Sequence, residues 1–323
     1  MSTDAMPDWR RMATDLAIPA FLVVAGTFVA ARLLDIRPWT APAYDVWAYW
    51  LTRDGMDYAA LSPGDTGAYL YSPAFAQAIA PLVALPWPVF AALWTALQAA
   101  LLLWLSGRHA LLILLLPPVA LSVLLGQLDL AFAIVALVGL RWPVVWVLPL
   151  LTKVTPGIAL IWFLVRGEWR SLTIALGATG VIAGASYLAD PQAWSDWIGL
   201  LHRREFPELG GGLIYLPVSI WLRLPLAALL VAWGARTDRR WVLPVGICLA
   251  LPTIWLNSPT ILVALLPLAA AGAATPAGAW LRGARGPDAW SLRPLPPPVP
   301  RGTVPQGEEE PATIKGAEAD GHG

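Results

Sequence analysis

Cysteine is almost absent. The single Cys248 leaves no partner for an intrachain disulfide and no thiolate cluster for zinc. Histidine is nearly as scarce: of the three, two lie ahead of the C-terminal tail, too few for a multi-histidine metal centre. Charge is thin as well. Asp, Glu, Lys and Arg make up 13% of the 323 residues, about half the share of an ordinary soluble domain, and they cancel to a formal net charge of zero. A neutral chain has no electrostatic footprint for nucleic acid, so no such partner is expected. Lysine is missing from the whole chain ahead of the tail except for Lys153.

What fills the sequence instead is apolar: 58% of residues are hydrophobic, and 19 are tryptophan, the side chain that concentrates at the lipid headgroup level. That composition implies an all-α polytopic membrane protein. The first apolar run, Leu16 to Leu34, matches a full span and exceeds a signal-peptide core, so it reads as an uncleaved first helix. Tyr69 to Ser106 carries no charge and is too long for one helix; Pro81, Pro86 and Pro88 divide it into a short interfacial helix over about 73–85 and a span to about Leu105. Further segments are expected near 110–125, 128–140, 143–152, 156–165, 171–189 and 216–233, several shorter than a full span. Trp241 to Leu281 reads as a helical hairpin turning at Asn257, Ser258 and Pro259. Gly177, Gly180 and Gly184 are spaced for close helix contact.

Basic residues set the expected orientation, because cytoplasmic loops collect Lys and Arg. Arg10, Arg11, Arg108, Arg141, Arg166, Arg170, the 235–240 loop, Arg282 and Arg285 fall on one side if the segments alternate. The long first loop, the Gly126-Gln127 turn, the Lys153 turn, the loop after Ala189 and the Asn257 turn then share the extracytoplasmic side. Residues 1–282 form the membrane domain, and 283–323, rich in Pro, Gly and charge, form a disordered cytoplasmic tail. No convincing internal repeat is present.

Four features carry chemistry, each with a plainer alternative. Asp45 lies among aromatics in "APAYDVWAYW". In a helix it shares a face with Tyr49, while Trp47 and Trp50 turn toward the interface. A partly desolvated carboxylate is a better proton acceptor near neutral pH, which suits a general base; it equally suits a helix cap or an ion pair with Arg53 or Arg32. Asp129 stands alone in an uncharged stretch and reads either as a ligand for acceptor hydroxyls or as a first-turn acid favoured by the helix dipole. Lys153 reads as a point-charge contact for a lipid-linked phosphate, or as the partner of Asp129 or Asp45, or as a snorkelling side chain. His202, Arg203 and Arg204 place positive charge on the outer side, where Arg holds phosphate well, although solvated surface charge also explains them.

In order along the chain come "YDVWAY", "GMDY" (Gly55–Tyr58), "AYLYSPAFAQAIAPLVALP", an outer Gly-Gln turn, "KVTP" and "NSP". That order, from about Leu16 to Leu268, is similar to glycosyltransferase family 87, membrane enzymes of the GT-C superfamily that includes polyprenyl-phosphate-mannose-dependent mannosyltransferases. The resemblance implies a GT-C-like bundle of about ten helical segments with juxtamembrane helices in the first outer loop. It also implies an inverting, metal-independent and cofactor-free transfer to a lipid or glycan acceptor at the outer face of the cell membrane. Asp45 matches the position of the base. Lys153, with His202, Arg203 and Arg204, would meet the donor phosphate, and Tyr49, Tyr58, Tyr71, Gln127, Asp129 and Asn257 the sugar or acceptor. The chain departs from the pattern at Ser72, where a second proline is common, and at Asp129, where asparagine is common. A pentose such as arabinofuranose in place of the hexose fits the same sequence. A lipid or sugar transporter is a rival from another class, and a scaffold subunit a third, in which Asp45 and Lys153 tolerate substitution.

Overall fold

The computed structural model describes residues 43–58, 67–202, 218–269 and 275–283. The run Leu16 to Leu34, the Arg203-Arg204 pair and the tail lie outside the described residues. Among the described residues every regular element is helical, as the composition requires.

α1 (Tyr44–Leu51) belongs to the first loop and is extended by a 3-10 turn, Thr52–Asp54. α2 (Pro73–Val83) and α3 (Trp87–Ser106) are the two pieces expected from the proline pattern, each opening with proline at its start, where the missing N–H costs nothing. α3 runs on through a 3-10 turn into α4 (Ala110–Leu114), giving a mainly apolar stretch of 28 residues, long enough to cross a membrane. The segment expected over 110–125 is broken in the structure. Leu115 and Leu116 end α4, and the Pro117-Pro118 pair, which cannot continue a helix, starts α5 (Pro117–Leu125) afresh. α5 and α6 (Asp129–Val138) then meet at 107° about the Gly126 turn.

α7 (Val147–Thr152) and α8 (Ile161–Arg166) each follow a proline-led 3-10 turn, Pro143–Trp146 and Thr155–Leu160. α9 (Trp169–Ala189) is the second uninterrupted candidate span. α10 (Pro191–His202), α11 (Ile220–Thr237) and α12 (Val242–Ala250) follow, and the second leg of the expected hairpin is a 3-10 helix, Ser258–Ala264, running into α13 (Leu265–Leu268). α14 (Pro276–Gly283) closes the described chain. Among the described residues two helices, or three counting the bent α5–α6 pair, are long and apolar enough to be spans, which supports a membrane protein.

The core gathers fully buried Trp146, Trp162, Phe132 and Phe163, with Leu243, Ile247 and Ile261 from the late helices. Among the described residues, close glycine packing occurs at other positions than the three the sequence singled out. A side chain at Gly177, Gly180 or Gly184 of α9 would meet no described residue. Gly234 of α11 instead backs onto Val242, and Gly246 of α12 onto Val231, with no room for a Cβ at either. A small-residue spacing permits close approach without dictating which helix has a neighbour to approach.

α6 and α7 hold Asp129 and Lys153 at one end and Arg141 at the other. Asp129 opens α6 and Lys153 follows α7, whereas Arg141 lies between the far ends of the two helices, 5.7 Å from the Trp280 ring.

Candidate active site

The Gly126-Gln127 turn organises the polar end. α5 stops because Gly126 enters the left-handed region at φ +78, and the Gly126 and Gln127 N–H groups both donate to the Ser122 carbonyl, at 2.9 and 3.0 Å. The start of α1 is tied to the same place, since the Ala43 N–H donates to the Leu124 carbonyl at 2.6 Å. Val46 covers Gly126 so closely that a Cβ there has no space. With α1 laid across the turn, Asp45 meets Gln127, whose Nε2 donates to the Asp45 Oδ2 at 2.7 Å. The plainer expectation of an Arg53 ion pair does not hold: Arg53 pairs with Asp54 at 3.6 Å and covers the Trp50 ring at 4.6 Å.

Asp129 opens α6 and is fully buried. Its Oδ2 accepts from Asn257 Nδ2 at 2.7 Å and from Ser122 Oγ at 3.2 Å. Its Oδ1 has no hydrogen-bond partner and faces Lys153 Nζ at 3.9 Å. The ammonium also lies 5.6 Å from the centre of the Phe132 ring, within cation-π range. Lys153 is therefore held by an ion pair longer than a charge-assisted hydrogen bond, with 14% of its side chain exposed.

The turn that presents Lys153 is strained. Val154 has φ +50 and ψ −59, and the Thr155 N–H donates to the Lys153 carbonyl at 2.5 Å, a γ-turn of the rarer hand centred on a β-branched residue. Such a conformation costs on the order of 1–3 kcal/mol and persists only where its surroundings enforce it. Here Pro156 follows, and α7 and the next 3-10 helix are fixed on either side.

A tyrosine cluster walls the site beyond Asp45. The Tyr49 hydroxyl donates to the Tyr71 hydroxyl at 3.3 Å and the Tyr58 hydroxyl to the Tyr71 carbonyl at 2.7 Å, all three side chains buried. The unusual Ser72 explains itself: its N–H and Oγ both donate to the Leu151 carbonyl, at 3.3 and 2.5 Å, clamping the entry of α2 to α7 two residues before Lys153. A proline at 72 has neither donor.

Burial raises the affinity of the Asp45 carboxyl for its proton. Loss of water pushes its carboxyl up to about 7; the Lys153 ammonium opposes that rise, Asp129 adds to it, and the Gln127 hydrogen bond opposes it. Near neutral pH the group divides between acid and base forms, which is what proton acceptance requires.

The structure thus brings together Asp45, Tyr49, Tyr58, Tyr71, Gln127, Asp129, Lys153 and Asn257. His202 is exposed at the end of α10, its Nδ1 2.7 Å from the Ile198 carbonyl of its own helix. Arg203 and Arg204 lie outside the described residues. Sequence reading passed over Ser122, Phe132, Trp94 and Gln98. Gln98 had a visible signal, because it is the one amide in the uncharged α3 sequence.

A comparison with protein families supplies the remaining link. The family model described as glycosyltransferase family 87 matches residues 69–282, so the match takes in Gln127, Asp129, Lys153 and Asn257 and begins after Asp45. No curated protein and no solved structure matches the chain. With a matched region covering more than half of the sequence, the chain belongs to glycosyltransferase family 87.

Proposed function

We propose that the protein is an inverting hexosyltransferase that moves mannose from a polyprenyl-phosphate donor to a lipid or glycan acceptor at the extracytoplasmic face of the cell membrane. The observation that carries the reading is the meeting of Asp45, fixed by Gln127, with the loosely held Lys153. The acceptor hydroxyl gives its proton to the free Asp45 oxygen as its own oxygen bonds the sugar's anomeric carbon. The bond from that carbon to the donor phosphate breaks, and the electron pair leaves with the phosphate. One base suffices for inversion, unlike the paired carboxylates of a retaining hydrolase.

Negative charge grows on the departing phosphate, and a cation already in place stabilises it without reorganisation. Lys153 fills that role, with Arg203 and Arg204 further candidates and His202 a weaker one, given its contact with its own helix. Gln127 Oε1 is buried and has no hydrogen-bond partner among the described residues, so it can accept a hydroxyl of the sugar or acceptor beside Asp45. Asp129, fully buried and already bonded by Asn257 and Ser122, suits the holding of Lys153 better than contact with an acceptor. Tyr49, Tyr58 and Tyr71 form the wall behind the base.

An apolar groove of about 520 Å³, lined by Phe75, Leu97, Leu101, Val135 and Leu148 among others, reaches Thr152, the neighbour of Lys153. It suits the first isoprene units of a donor whose phosphate sits at Lys153. The chemistry requires neither metal nor cofactor.

The test is transfer by the purified protein in lipid. It is given labelled polyprenyl-phosphate mannose or polyprenyl-phosphate arabinose together with a lipid extract as acceptor. Mannose transfer supports the reading, and arabinose transfer alone replaces the hexose with a pentose. Vectorial movement of lipid without transfer from either donor overturns the enzyme reading in favour of a transporter.

A further inference from the structure

α3 is long and apolar enough to cross a membrane, yet it carries two polar donors on one face, Trp94 and Gln98, spaced at i and i+4 and both buried. Trp94 Nε1 donates to the Gly126 carbonyl at 2.9 Å. Gln98 Nε2 donates to the Gln127 carbonyl. The two donors thus take consecutive carbonyls of the same turn, while Ser122 takes that turn's two consecutive N–H groups. Neither peptide plane is free to rotate.

Acceptor-only partners also settle which end of each amide is which: a carbonyl fixes the Gln98 NH2, and the ionised Asp45 fixes the Gln127 NH2. A buried amide in an apolar helix costs free energy unless it is bonded, so its presence asks for a reason. Thr95, on the same stretch, satisfies itself within α3 by donating to the Ala91 carbonyl at 2.9 Å and offers none. Gln98 reaches out of its helix instead.

We propose that Gln98, with Trp94 beside it, is a positioning residue for the base: it locks the Gly126-Gln127 turn so that the Gln127 amide stays on Asp45. The chain of contact runs from Gln98 to the Gln127 carbonyl, and from the Gln127 side chain to Asp45. The proposal rests on Asp45 being the base, but the contact it describes is readable without catalysis. When the lock is lost, the Gln127 amide leaves the carboxylate, whose ionised form it stabilises, and the Asp45 titration moves to higher pH. The other ionisable groups facing Asp45 are Lys153, Asp129, Tyr49 and Tyr71; none is bonded to Gln98, so their influence stays constant.

The experiment is infrared difference spectroscopy of the full-length protein in lipid, following the Asp45 carboxyl stretch against pH, with Asp45→Asn identifying the band. Gln98→Met keeps the size of the side chain and removes the donor. Its titration midpoint should rise by roughly half a pH unit or more, with kcat for sugar transfer reduced about tenfold and the donor KM unchanged. Trp94→Phe, which keeps a ring and loses one bond, should shift the midpoint less, and Thr95→Val should leave it in place. Should Gln98→Met fail to fold, Gln98→Asn, which withdraws the amide by one methylene, is read in the same way. An Asp45 midpoint unmoved in the folded Gln98 variant overturns the proposal. If Asp45→Asn itself keeps full transfer, the base assignment falls instead, and the band position still decides the lock.

Discussion

Lys153 and Arg166 both stand at the C-terminal end of a short helix and both face a carboxylate, but the two pairs are built differently. Arg166 Nε lies 2.7 Å from Glu168 Oε1, and its Nη1 also reaches the Ala235 carbonyl at 3.1 Å and Asp238 at 3.4 Å. Arg223 is engaged by carbonyls in the same way: those of Leu249 and Leu251 at 2.7 Å, Val218 at 2.8 Å and Pro252 at 2.9 Å. These cations are spent on holding elements together. Lys153 sits 3.9 Å from Asp129 over an aromatic face, at the end of a strained turn, beside a carboxylate oxygen without a hydrogen bond. A cation meant to receive a substrate anion must be placed without being satisfied, and Lys153 is the one of the three that meets both conditions.

The sharpest way to break that contrast is to remove each cation in turn. Lys153→Met should lower kcat by roughly 10²- to 10³-fold with the protein still folded. Arg166→Met should leave activity per folded molecule unchanged and lower stability by about 1–3 kcal/mol, read by thermal unfolding in detergent. Equal activity losses in the two variants would erase the distinction between them. A smaller effect is expected of Asp129→Asn, about tenfold in rate, with an informative direction in pH. Removing the Asp129 charge lowers the Asp45 titration, so the acid limb of the rate profile should move to lower pH, whereas Lys153→Met should move it higher. In the wild type the rate should fall as pH drops through about 7, the value to which burial raises Asp45, because the base must be ionised.

The same raised titration makes a stability prediction of the opposite sense. A carboxyl held above its ordinary range favours the folded state when protonated, and that contribution is lost as pH rises through about 7. Asp45→Asn should therefore melt at a higher temperature than the wild type at about pH 8 and nearly alike at about pH 4. A lower melting point of the variant at the alkaline end would contradict the burial of the charge. The smallest effect is local: Val154→Gly relieves the γ-turn and should change stability by about 1 kcal/mol or less, while loosening Lys153 and raising the donor KM.

Much of this was legible in sequence because it depends on short-range chemistry. Prolines marked the starts of α2 and α3 through a missing N–H, and isolated charges such as Asp129 and Lys153 stood out against an apolar background. The pairing of those two was one of the alternatives the sequence left open, and the structure shows them 3.9 Å apart. The helix through Leu115 was misjudged because apolar continuity outweighed the proline pair. The α9 glycines meet no described neighbour, because spacing says nothing about which neighbour is present. Gln98 and Ser122 act across 29 and 7 residues, through backbone carbonyls and a carboxylate that no sequence pattern advertises.

Asp45, held by Gln127 near a loosely paired Lys153, is the proposed base for sugar transfer. Single-turnover transfer from labelled polyprenyl-phosphate mannose, measured for the wild type and for folded Asp45→Asn at saturating donor, tests it most directly. The rate should be lower by roughly 10²- to 10⁴-fold in the variant, with donor binding retained. A variant that transfers sugar at the wild-type rate would contradict it.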